Sequence, residues 1–313
     1  MKMFQTTRQS MQVLLFLLTY TLFTFSFSSR TIAQSLDPLE PIGQHYQTQA
    51  VLDNAPVDKR AFKDTITFPW TEYSKGALSN ALWRTVYLLP EDEARLSSLI
   101  RFPANSSEQT KAELEYMLTL QQKRTPKEIQ RAQYIANIGS WPNIINPLDS
   151  SCAENREQLF YISSTIVGDW FNDKNFPALT DLLLNCIQDT RVTEFRLKRH
   201  FKRPRPYHLE PALQPLTRIN SPSFPSGHSL WAFTQAFLFS EIIPEKRNEF
   251  LKRAEEVRWS REVMGIHFPS DNEASRIISW NLIKYWYNNP QFVADLGKAR
   301  IEWLTKNKIF TGK

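Results

Sequence analysis

The 313-residue sequence predicts a single all-α domain, a helical bundle, on three observations. Apolar residues recur at helical spacing through most of the chain after residue 76. Proline and capping residues mark where those stretches begin and end. Alternating strand runs, a Gly-rich nucleotide loop and internal repeats are missing from the sequence.

The first 33 residues are of another kind. Lys2 and Arg8 precede an uncharged, mostly apolar run from Val13 to Phe27, and Thr31-Ile32-Ala33 puts small residues at a cleavage position. This is the pattern of a secretory signal peptide. The run falls short of the roughly 18–20 residues of a membrane span, and no cysteine stands just after it to carry a lipid. Cleavage after Ala33 removes three basic residues, Lys2, Arg8 and Arg30, so the formal charge falls from +6 to about +3. Residues 34–75 are polar, with Pro38, Pro41 and Pro56 and little periodicity, and read as an irregular N-terminal arm. The domain proper is expected over 76–313.

Within it, Leu78 to Leu89 reads as a short helix ended by Pro90, and Glu91 to Ile100 is ambiguous before Pro103. Ser106 or Ser107 caps a helix that runs to about Lys123, with Leu114, Met117 and Leu118 on one face. Thr125, Pro126 and Glu128 form a sharper start signal, a cap, a first-turn proline and a capping-box acid. Ile129, Ala132, Ile135 and Ala136 make the stripe of that helix, and Ile138 to Ser151 reads as loop. A strongly apolar helix is expected from Gln158 to Phe171. Another opens at Pro177, carries Leu179, Leu182, Leu183, Cys186 and Ile187 on its face, and runs to Phe201, where Pro204 and Pro206 forbid continuation. Pro211 to Pro225 is loop. Helices follow from Gly227, from Glu245 to Gly265, from Asp271 to Tyr287 and from Pro290 to Leu304. Leu230 to Ile243 contains Glu241 and suits a core helix, so no stable membrane insertion is expected after cleavage.

Acidic residues interleave with basic ones over most of the length, which argues against nucleic acid as a partner. The run Arg196, Lys198, Arg199, Lys202, Arg203 and Arg205 is the exception and suits a small anion. Cys152 and Cys186 are the only cysteines; in an exported chain they are either a disulfide or two buried thiols.

Three clusters between Lys198 and Asp271 carry the chemistry. Lys198 and Arg205, with six residues between them, offer a point charge and a planar pair of donors to phosphate oxygens. Ser226-Gly227-His228 opens a helix, where Gly227 permits close approach and first-turn amides favour an anion. His228 is placed to act as general acid. In the third cluster Arg261 is another clamp, and Asp271 lies four residues after His267, positioned to fix its tautomer and support it as a nucleophile. Taken singly, each has a structural explanation: a solvated basic face, a helix-cap histidine, a loop-stabilising His–Asp pair. No metal-binding cluster accompanies them.

Together they resemble the three-part signature of the type 2 phosphatidic acid phosphatase and vanadium haloperoxidase superfamily: Lys-x6-Arg-Pro, Pro-Ser-Gly-His and Ser-Arg-x5-His-x3-Asp, here at Lys198, Arg205-Pro206, Pro225 to His228, Ser260-Arg261, His267 and Asp271. Lys198 to Tyr207, Gly265 to Asp271 and Asn289 to Phe292 further resemble the bacterial class A non-specific acid phosphatases, with Tyr207 where Phe is more usual. The likeness covers most of residues 87 to 305. It implies the helical bundle of the acid phosphatase/haloperoxidase type and a metal-independent hydrolysis of phosphomonoesters. By this resemblance His267 forms a phosphohistidine, Asp271 orients it, and His228 protonates the leaving alcohol. Lys198, Arg205, Ser226, Gly227 and Arg261 hold the nonbridging oxygens. The partners implied are small phosphomonoesters and inorganic phosphate, in the Gram-negative periplasm or outside the cell, with a homo-oligomer left open. No cofactor is implied; vanadate enters as an inhibitor, or as cofactor under the alternative of a haloperoxidase. The 20 residues between Arg205 and Ser226 are compact for the latter. A non-catalytic periplasmic phosphate-binding protein is the alternative of a different class.

Overall fold

The computed structural model describes residues 62–138 and 159–312, all within the unit that spans Pro41–Lys313. The expected signal segment, most of the arm, most of the 138–151 loop and Cys152 lie outside the described residues. Every regular element among those described is helical, as the sequence predicts.

The α-helices are α1 (Lys75–Asn80), α2 (Pro90–Leu99), α3 (Glu108–Lys123), α4 (Pro126–Ile138), α5 (Tyr161–Val167), α6 (Pro177–Phe201), the single turn α7 (Pro206–Leu209), α8 (Gly227–Ile242), α9 (Arg247–Val263), α10 (Pro269–Trp286) and α11 (Pro290–Thr311). Short 3-10 turns occupy Phe62–Thr65, Trp70–Glu72 and Pro244–Lys246. Helix α8 is the axis of the fold. All of it but His228 is buried, so it is enclosed around its whole circumference rather than along one stripe. Helices α9 and α10 pack most extensively on it, with α5, α6 and α11 closing its other sides.

Several expected boundaries hold for the expected reasons. Ser107 accepts from the Thr110 amide and starts α3. Thr125 and Glu128 exchange hydrogen bonds ahead of α4. Pro177 occupies the first turn of α6, and Lys202 ends that helix in a left-handed conformation with φ 52°. The reversal at Lys202 turns Arg203 and Arg205 back toward the domain interior, and its carbonyl accepts the Phe68 amide from the arm.

Two expectations are corrected. The helix expected from Leu78 to Leu89 ends at Asn80, because the amides of Val86, Tyr87 and Leu88 instead donate to the Asp189 carboxylate on α6. A carboxylate that accepts three successive amides leaves none for an i−4 ladder. The helix expected to reach Phe171 stops at Val167, because Gly168 takes φ 130° and the chain turns. Beyond the turn Trp170 stacks on Phe310, with 4.9 Å between ring centroids. Pro90 at the first position settles Glu91 to Ile100 as helix α2, and α11 runs seven residues past its expected end.

Candidate active site

The end of α6 with its following turn, the turn into α8, and the link from α9 to α10 converge at one place. The last two are pinned together. The Ser226 amide donates to the Asp271 carbonyl at 3.3 Å, the Ser275 hydroxyl donates to the Ser226 carbonyl at 2.8 Å, and the Ser223 amide donates to the Arg203 carbonyl at 3.0 Å.

His267 and Asp271 lie at the centre, both buried. Asp271 is in the first turn of α10, where Pro269 and the carboxylate's own bond from the Phe268 amide (2.9 Å) set the start of the helix. The geometry assigns the imidazole tautomer. Arg205 Nη1 lies 2.9 Å from His267 Nε2, and a guanidinium can only donate, so Nε2 carries the lone pair. Nδ1 therefore carries the proton and donates to Asp271 Oδ2 at 3.2 Å. Burial, then the neighbouring Arg205, holds His267 well below the ordinary histidine range, which keeps it neutral. Asp271 is the reverse case. Burial alone would raise it, but Arg203 and the hydrogen bonds of His267 and Ser223 outweigh burial and hold it well below the usual carboxylate range.

Arg205 is anchored by its own donors, from Nε to the Ser221 carbonyl at 2.9 Å and from Nη1 to the Ile266 carbonyl at 2.8 Å. Lys198 is equally fixed. Its ammonium donates to the carbonyls of Pro222 at 2.7 Å and Pro225 at 2.6 Å, and burial, with Arg205 nearby, pushes its pKa down to about 7. Gly227 begins α8 with no side-chain cap over its first amides, because the Ser226 hydroxyl donates to Ser229 at 3.1 Å instead. On the opposite wall His228 Nε2 faces the Ala136 carbonyl at 3.2 Å, and Arg261 donates to the Ala132 carbonyl at 3.2 Å, so α4 positions both. Nε2 of His228 must be its N–H, which leaves Nδ1 as its acceptor. Burial and Arg261 push His228 well below the ordinary histidine range. Burial lowers Arg261 itself to about 9.

All eight residues expected at the site are thus in this region. Cys186 is a buried thiol on α6 and takes no part in it. Sequence reasoning missed the supports. Arg203 donates to Asp271 Oδ1 at 2.7 Å and to the Ser270 hydroxyl at 2.8 Å, with its guanidinium 3.9 Å from the Phe268 ring centroid. Its place two residues before Arg205 was the available signal. Ser223 donates to Asp271 Oδ2 at 2.5 Å. Glu113 on α3 accepts from the Ser270 amide and hydroxyl, both at 2.8 Å, and faces Arg203 at 3.4 Å. Nothing in its surroundings in sequence points there.

A neutral imidazole backed by a buried carboxylate, and ringed by buried cations, is an arrangement whose charges suit an oxyanion. Comparison with known proteins narrows the class. Residues 178–294 match the PAP2 superfamily. Over 142 residues the chain is 32% identical to a non-specific acid phosphatase of Providencia stuartii, covering 44% of this chain and 57% of that protein. Over 162 residues it is 29% identical to a non-specific acid phosphatase of Salmonella typhimurium, covering 50% and 64%. The chain thus spans somewhat over half the length of these curated relatives. Among solved structures it is similar to a transmembrane PAP2-type phosphatidylglycerolphosphate phosphatase from Bacillus subtilis, with TM-score 0.42, 20% identity and coverage of 68% and 94%. A bacterial vanadium-dependent iodoperoxidase gives TM-score 0.43, 19% identity and coverage of 59% and 50%. Residues 178–294 thus carry the PAP2-superfamily match, and the chain resembles non-specific acid phosphatases over about half of its length. Among the described residues, no helix is long and apolar enough to cross a membrane.

Proposed function

We propose that this chain is an acid phosphatase that hydrolyses phosphomonoesters through a phosphohistidine. The observation that carries the reading is the orientation of His267, with Nδ1 on Asp271 and the Nε2 lone pair facing Arg205. In the first step Nε2 attacks phosphorus, the N–P bond forms, and the bond from phosphorus to the alcohol oxygen breaks. His228 supplies the proton to that oxygen from Nδ1. The free pocket keeps His228 neutral, and the charge of the bound phosphoryl group favours its protonation. In the second step His228 takes a proton from water, which attacks phosphorus and releases inorganic phosphate and neutral His267. Lys198, Arg205, Arg261 and the Ser226-Gly227 turn hold the nonbridging oxygens and stabilise the charge that builds up on them. The residue pattern of 1–33 supports export, and small phosphomonoesters are the substrates.

Phosphate release from p-nitrophenyl phosphate at acid pH, with and without a chelator, tests the reaction. Release is expected to resist the chelator. His267→Ala is expected to lose turnover by several orders of magnitude while circular dichroism stays unchanged; full activity in that variant would falsify the assignment. Bromide oxidation by peroxide that depends on added vanadate, without phosphate release, would assign the pocket to haloperoxidase chemistry instead.

A further inference from the structure

Glu194 has no part in the reaction as written above. It sits on α6 one turn before Lys198, with its side chain 4% exposed and Oε1 3.6 Å from the Lys198 ammonium. Its other oxygen, Oε2, is buried and has no hydrogen-bond partner. The carboxyl group lies directly against Gly227. A methyl group on that α-carbon would fall 2.2 Å from Oε1 and 2.7 Å from Oε2. A carboxyl group therefore packs against the first residue of α8, a helix whose opening amides no side chain caps.

The charges around it are cationic. Lys198 and Arg191 face it from its own helix and Arg205 from the turn after α6. From α8 and α10, His228 and Asp271 face Lys198 and Arg205. An orphan oxygen in such a setting lacks a donor if the group is a carboxylate and an acceptor if it is a neutral carboxylic acid, and the pocket's own reactant offers the acceptor. A phosphoryl oxygen is that partner. Burial raises the Glu194 pKa in spite of the cations, in keeping with a carboxyl group that is readily protonated.

We propose that Glu194 is a further residue of the oxyanion pocket, sharing Lys198 and Gly227 with the phosphoryl group. As a neutral acid it donates from Oε2 to a nonbridging oxygen, and as a carboxylate it occupies the place of that oxygen and holds the phosphoryl group off. The inference rests on the phosphatase reading and deepens it, giving the pocket a donor that exists only while Glu194 is protonated, a form that the charge of bound phosphate favours.

The test uses inorganic phosphate and no turnover. In infrared difference spectra at pH 7, adding phosphate to the intact protein is expected to produce the C=O band of a protonated carboxylic acid, and Glu194→Gln is expected to lose that band. By calorimetry at acid pH, Glu194→Gln keeps a donor and is expected to hold phosphate within a few-fold of the native affinity. Glu194→Met has similar length without a donor and is expected to bind about tenfold more weakly. Absence of the band, or its persistence in Glu194→Gln, overturns the proposal. So does equal loss of affinity in both variants, the mark of a merely structural partner for Lys198, or no loss in either. If the methionine variant does not fold, the spectra of the native protein and Glu194→Gln decide alone. The phosphatase reading stands or falls separately, on p-nitrophenyl phosphate turnover by the native chain.

Discussion

Asp271 shows how much of a site one side chain can organise. Its two oxygens accept from Arg203, Ser223, His267 and the Phe268 amide, so a fully buried carboxylate stays ionised and fixes the tautomer of the imidazole beside it. The pairing with His267 was legible from the four-residue spacing, which puts Asp271 in the first turn of α10 and His267 just ahead of that helix. Arg203 was harder to place, since nothing in the sequence says which of the two arginines flanking Pro204 faces the carboxylate and which the imidazole nitrogen. Glu113 was illegible: it comes from a helix 90 residues before Arg203 and reaches Asp271 through Arg203 and Ser270. It also carries a pH signature. Burial, partly offset by Arg203, raises its pKa from 4.5 to about 7. Between those values the native state keeps a proton that the unfolded chain has released, so this group makes stability fall as pH rises through that window. Glu113→Gln removes the titration, and its thermal midpoint is expected to lose that part of the decline between about pH 4.5 and 7. Parallel melting-temperature curves for the two proteins across that range would count against this placement of Glu113.

At the scale of elements, the helices whose ends are written in local chemistry were legible and those ended by tertiary contacts were not. Ser107, Thr125 with Glu128, and Pro177 each act within one turn of their own position. The segment from Leu82 to Leu89 has helical spacing but yields its amides to Asp189, a residue 100 positions away. The end of α9 matters most to the site, because His267 follows it by four residues. There Gly265 takes φ +71°, its amide donates to the Glu262 carbonyl at 2.9 Å, and the Ile266 amide donates to Arg261 at 3.3 Å. This paired closure needs a left-handed residue just past the helix. A methyl group at 265 would add a second cost, since it would meet backbone at Pro215 Cα, 3.3 Å away. Gly265→Ala is therefore expected to destabilise the fold by about 1 kcal/mol or more. It should also lower kcat, because the strain is relieved by moving the segment that carries His267. Unchanged urea midpoint and kcat together would show that the turn does not hold the imidazole in register.

For the molecule as a whole, the sequence match to the superfamily covers 178–294, yet the site is not complete within it. Glu113 on α3 and the Ala132 and Ala136 carbonyls on α4 support Ser270, Arg261 and His228 from outside that segment. The chain before α3 is tied to the same core through Asp189. That carboxylate accepts from the amides of Tyr87 and Leu88 at 3.0 and 2.7 Å, from the Val86 amide, and from Trp286 Nε1 at 2.9 Å. It therefore joins the segment before α2 to α6 and to the end of α10, far along both helices from Lys198 and Asp271. Asparagine in its place retains one acceptor oxygen and turns the other into an amide that faces buried N–H groups. Each buried donor left without a partner costs about 1–3 kcal/mol, so Asp189→Asn is expected to lower stability by several kcal/mol, measured by chemical denaturation. The residue touches neither the imidazole nor the cations of the pocket, so kcat per folded molecule is expected to stay near that of the native chain at temperatures where the variant is folded. A variant of native stability would mean that the three amides find other acceptors. A stable variant with collapsed turnover would mean instead that the Asp189 junction reaches the site through α6 and α10.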